Sequence, residues 1–144
     1  MTKLEWFAGN AAALDLYERL VFIAHSWDDL VDRDRDVPVG VVNALVMNLL
    51  LHLPQNECFR RFETEIRVLL LCGATSYLAA NIMEKSGDGH KVEIAHYLRY
   101  AVSQVAVFLV SALNGTDKAP AIIAEVMTQM IPERIEDYLK EHAR

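Results

Sequence analysis

The residues of this chain with the most chemistry in them lie in one short stretch, His25-Ser-Trp-Asp28-Asp29-Leu-Val-Asp32-Arg-Asp34-Arg-Asp36. With His25 as zero and about 100° per residue, Asp32 falls near −20°, Asp28 near −60°, Asp29 near +40° and Glu18 near +20° on a helix. These acids share a face with Leu14 and Val21, whereas Asp15, Arg19, Ser26 and Arg33 gather on what reads as the solvent side. The carboxylates are therefore expected to continue an apolar stripe. Asp28 and Asp32 repel at i,i+4 by a few tenths of a kcal/mol. Acids at a helix C-terminus also meet the negative end of the macrodipole, at about 0.3–1 kcal/mol each. A hard divalent ion, Mg²⁺ or Mn²⁺, would offset both effects, with Asp28, Asp29 and Asp32 as ligands. His25 would be a fourth ligand, or would hold Asp29 or a bound water in place. The alternative is that Asp34 and Asp36, alternating with Arg33 and Arg35, form a solvated, self-neutralising loop.

A second polar stripe crosses an apolar segment further on. Glu93, His96, Tyr97, Tyr100, Ser103 and Gln104 fall within about 120° of one another, and Ser111 continues the line. As a pocket wall, this stripe would offer Glu93 or His96 to a metal and Tyr97, Tyr100 and Gln104 to a substrate; as an ordinary helix face it would only be wetted. Tyr77, Asn81 and Glu84 share a face of the preceding segment, with Asp88 just beyond. Arg99 has no acid at i±4 and either reaches a phosphate or extends to solvent. Cys72-Gly73 reads as a site of close helix packing, and Met127 and Met130 as core filler.

The elements that must position these residues are helices. Thr2 with Glu5 three residues on reads as a capping box. Asn10 is expected to cap a helix running to about Asp32, and Pro38 follows it. A second helix is expected from Val39 to about Leu53, stopped by Pro54, and a third from Asn56 to about Lys85, ended by Gly87 and Gly89. The fourth spans Lys91 to Asn114 with Gly115 after it. The last begins beyond Asp117 and Pro120, and Pro132 divides off a terminal helix to His142. Strand-like alternation is absent, so the fold class is all-α, a single-domain bundle of about five or six helices over residues 1–144.

The chain has 144 residues, 53% of them hydrophobic, which suffices for one core. A net charge of −6 and the mixing of Arg60, Arg61 and Arg67 with Glu57, Glu63 and Glu65 argue against a nucleic-acid partner. Cys58 and Cys72 have neither CxxC spacing nor a secretory segment before them, so a reducing, cytoplasmic location is expected. The longest apolar run, Val105 to Leu113, is short of the roughly 20 residues of a membrane span, and no membrane partner is expected.

Asp28-Asp29-Leu-Val-Asp32 resembles the DDxxD motif of isoprenoid (terpenoid) synthases, which are all-α. The resemblance implies Mg²⁺ held by Asp28, Asp29 and Asp32, a diphosphate-bearing small molecule as ligand, and a reduced bundle of that type. No second DDxxD or NSE-type motif follows. The strings HSWDDLVDRD and LHLPQNECFRRF are also similar to small helical proteins of tailed phages and prophages. Two functions are therefore expected as alternatives. One is a metal-dependent protein acting on or binding a diphosphate. The other is a non-catalytic interaction protein, its acidic patch or uncovered apolar helices contacting a partner or the mate in a homodimer.

Overall fold

A computed structural model describes residues 1–33 and 35–142. Asp34, one acid of the expected self-neutralising loop, lies outside the described residues. The protein is all-helical, and the described chain divides into two compact units, residues 1–64 and 65–144.

In the first unit Thr2 and Glu5 form the expected capping box at the head of α1 (Lys3–Trp6). Asn10 caps α2 (Ala11–Asp32) by accepting from the Ala13 amide at 3.0 Å. Trp6, Phe7, Ala13, Leu16, Tyr17 and Leu20 are buried, and Tyr17 packs edge-on against Trp6 with ring centroids 6.0 Å apart. α3 (Val39–Met47) runs into a π-helical turn, Asn48–His52, and on into α4 (Leu53–Gln55). Pro54 was expected to stop this helix, but the helix continues through the π-helical turn and past Pro54 to Gln55. The chain breaks instead at Asn56, which is buried and satisfies three neighbours at once. Its Oδ1 accepts from the Phe59 amide and caps α5 (Glu57–Arg61), while its Nδ2 donates to the Ala12 carbonyl and to Asp15, each at 2.9 Å.

The expected third helix is thus two, α5 and α6 (Glu63–Glu84), separated at Phe62. In the second unit α6 leads through Gly87, at φ +72°, to α7 (Gly89–Leu98), capped by Asp88. The expected continuous fourth helix is interrupted by a 3₁₀ turn, Ala101–Ser103, before α8 (Gln104–Asn114). Gly115 ends α8 at φ +79°, as its type requires. α9 (Ala119–Met130) and α10 (Ile135–His142) flank the break at Pro132. Tyr138 of α10 is buried with Ala80, Val92 and Ala95. By length and composition α6 and the stretch Gly89–Asn114 could each cross a membrane, with mean hydropathies of 1.5 and 1.2, a test that core helices of soluble proteins also pass.

Gly73 has the packing role its sequence context suggested. It is buried on α6, and a Cβ there would stand 3.0 Å from the Cα of Val102, against backbone that cannot swing aside. Gly73→Val should therefore lower unfolding stability by about 1–3 kcal/mol in urea titrations, because overpacking outweighs any gain in helix propensity.

Candidate functional site

The acidic end of α2 is built from the helix outward. Its buried residues are Ala13, Leu16, Tyr17, Leu20 and Ser26. Most of these lie about 120–180° around the helix from His25, so the face bearing the acids is not the core stripe that the sequence suggested. The expected solvent side is corrected as well. Ser26 is buried, and Arg19 lies half-buried between Asp15 and Asn48 Oδ1, at 2.8 Å from each. Arg19, and Asn56 after it, hold the Asp15 carboxyl below its usual pKa against the opposing effect of burial.

His25 and Asp32 are exposed, while Asp28 and Asp29 are half-buried. α2 ends where Arg33 turns left-handed at φ 54°. Beyond that turn the Arg35 guanidinium comes back to Asp29, 2.7 Å from Oδ1. A cation offsetting acids at this helix end is thus supplied in part by the chain itself. Among the described residues no three His, Cys, Asp or Glu side chains form a group that could hold a metal ion, and Asp28, Asp29, Asp32 and His25 are not gathered into one.

The stripe expected on the fourth helix is dispersed by the break after α7. Glu93 is exposed and sits 3.7 Å from His90. Tyr97 is also exposed, and its hydroxyl accepts from Gln104 Nε2 at 3.4 Å. Ser103 is buried. His96 turns inward, donating from Nε2 to the Glu133 carbonyl at 3.0 Å and lying against the Tyr138 ring, with centroids 4.8 Å apart; Tyr100 meets the same imidazole edge-on. These contacts make His96 a packing residue of the second unit.

Among the described residues one polar cluster is of a kind that sequence reasoning did not assemble. Glu84, at the end of α6, accepts hydrogen bonds from the Tyr138 hydroxyl and from Arg99 Nη1, the latter at 3.1 Å, and His142 Nε2 lies 3.7 Å from its other oxygen. His142 donates from Nδ1 to the Tyr138 carbonyl at 2.9 Å, which fixes the imidazole over the Tyr138 ring. Arg99 has no acid at i±4, and the carboxylate it meets lies 15 positions away, beyond any helical spacing. Burial first, then the hydrogen bond and charge of Glu84, push the Tyr138 hydroxyl well above its usual pKa, with Arg99 acting in the opposite direction. A cleft of about 420 Å³ opens beside the cluster, lined by Glu84, Lys85, Gly87, Glu141 and His142. The carboxylate facing it already has a guanidinium and a phenol on one oxygen, so the cluster ties α6, α7 and α10 together.

Comparison with protein-family models, with curated proteins and with solved structures finds no match for this chain.

Removing Glu84 should expose its structural role. Glu84→Ala removes the carboxylate that accepts from both the largely buried Arg99 and the Tyr138 hydroxyl, and should cost about 3 kcal/mol in denaturant unfolding. Alkaline titration tests the same cluster. The unfolded chain releases the tyrosine proton near pH 10, whereas folded Tyr138 keeps it to higher pH. Its contribution to stability is therefore fully present below about pH 10 and is lost as pH rises further, at up to about 1.4 kcal/mol per pH unit. Tyr138→Phe should flatten that alkaline decline, leaving the smaller contribution of Tyr17, whose pKa burial also raises.

Proposed function

We propose that this chain is a non-catalytic helical interaction protein that holds a partner on apolar helix surface. The observation that carries the reading is the segment from Val39 to His52. Its sequence, VGVVNALVMNLLLH, has the composition of a core helix, yet α3 and the π-helical turn after it contain no buried residue. Val39, Val46, Met47, Leu49, Leu50 and Leu51 are all exposed, Leu50 at 69%. Contiguous apolar surface of this kind marks interaction sites in soluble proteins. The resemblance to small phage and prophage helical proteins fits this reading.

The test is a pair of charge insertions, Leu49→Glu and Leu50→Glu together. The variant should keep wild-type helicity and melting temperature while losing most binding of an environment-sensitive apolar dye and any concentration-dependent association. Loss of folding in the variant would show these leucines to be core residues and would contradict the reading. A wild-type protein that binds no dye and no partner would contradict it too.

A second reading has a specific observation in its favour: Asp28 and Asp29 are half-buried at the C-terminal end of a 22-residue helix, where the macrodipole disfavours them. In this reading Asp28, Asp29 and Asp32, with His25, bind Mg²⁺ or Mn²⁺ and through it a diphosphate, as the DDxxD resemblance implies. An ion at a hundred times its dissociation constant adds about 2.7 kcal/mol, a shift of several degrees for a domain this size. Wild type should then melt higher in millimolar Mg²⁺ and Asp28→Asn should not, whereas an unshifted wild type rejects the metal reading and leaves the first one standing.

A further inference from the structure

Asn48 and Leu53 stand at the two ends of the π-helical turn, and both are held on the inner side of their segment. Asn48 Oδ1 accepts from Arg19 Nη1 of α2 at 2.8 Å, and its Nδ2 donates to the Ala44 carbonyl at 2.9 Å. Arg19 is held in turn by Asp15, 2.8 Å from its Nε, and Asp15 also accepts from Asn56. Leu53 is buried, and its amide donates to the Asn48 carbonyl five positions back, the bond that defines a π-helix.

Two inward residues five positions apart do not fit an α-helix, where about 100° per residue would put them about 140° from each other. In that register the residues returning to the side of Asn48 would be Leu51, about 60° away, and His52, about 40° away. The π-helical turn gives the inward place to Leu53 instead, and the residue it carries beyond an α-turn goes to the outside. Leu49, Leu50, Leu51 and His52 are four exposed residues in succession, whereas within α3 no more than two follow one another.

We propose that the π-helical turn is the device that presents the leucines of this segment. Anchored at Asn48 by Arg19 and at Leu53 by burial, it turns Leu51 out to join Leu49 and Leu50, and a return to α register would draw Leu51 back against the chain. This rests on the reading of Val39–His52 as the partner-binding surface and names the feature that controls it.

Deletion of His52 tests the proposal, because it removes the surplus residue and keeps every leucine, while His52→Ala loses the same side chain and keeps the register. Circular dichroism melts of each variant control for folding. Wild type and His52→Ala should bind the environment-sensitive apolar dye alike. The deletion variant should melt no lower than wild type and bind the dye about five-fold more weakly, as one leucine leaves the surface. Thiol accessibility reads the register in the undeleted chain. With Cys72→Ser leaving only buried Cys58 as a competing thiol, Leu51→Cys should react with a maleimide about as fast as Leu50→Cys, and much more slowly once His52 is deleted. Undiminished dye binding by the deletion variant, or a Leu51→Cys thiol as slow as Cys58 in the undeleted chain, would overturn the proposal. A deletion variant that unfolds would overturn it too, by making the turn a requirement of the fold rather than of the surface. Failure of the underlying reading is distinct: wild type would bind no dye, or Leu49→Glu/Leu50→Glu would leave binding unchanged.

Discussion

The structure turns on how a helix can be apolar on most of its circumference and still belong to a protein in water. A helix buries about one stripe against its own unit, and any further apolar stripe must be covered by something else. α6 meets this constraint most sharply. Its inner face, with Ile66, Gly73, Tyr77 and Ala80, is buried, and Gly73 permits Val102 to approach as closely as backbone can. Its outer face sets Val68, Leu71, Leu78 and Ile82 in the open. The segment Val39–His52 repeats the problem in the first unit, apolar by sequence and nowhere buried.

Polar ties compensate for the modest cores. Asn56 in the first unit and Glu84 in the second work in the same way: each is a single side chain that satisfies groups from several helices. Asn56 caps α5 while holding the Ala12 carbonyl and Asp15 of α2. Glu84 gathers Arg99, Tyr138 and His142. Buried polar groups of this kind are costly when left unpaired and specify geometry when complete. Both clusters thus serve the architecture of their own units.

What the sequence made legible was local. The capping box at Thr2 and Glu5, the Asn10 cap, Gly115 and the break at Pro132 depend on residues within a few positions of each other, and all are present in the structure. The rotation of α2 about its axis was not legible, because Asp15 and Arg19 mimic a solvent face while finding Asn48 and Asn56 about 30 to 40 positions further on. The same limit hid the Glu84 cluster, whose members Glu84 and Tyr138 are 54 positions apart. The passage of the helix through Pro54 was not legible, because the π-helical turn just before it has no local signal in the sequence. At the acidic end of α2 the residue types were legible but their neutralisation was not, since Arg35 reaches Asp29 only after the left-handed turn at Arg33.

The central claim, that the apolar segment Val39–His52 is presented to a partner rather than packed into the chain's own core, is tested most directly by the binding of an environment-sensitive apolar dye to the wild-type protein and to the Leu49→Glu/Leu50→Glu variant. Dye binding by wild type and its loss in an equally folded variant is the predicted result; a wild type that binds no dye, or a variant that unfolds, would contradict the account.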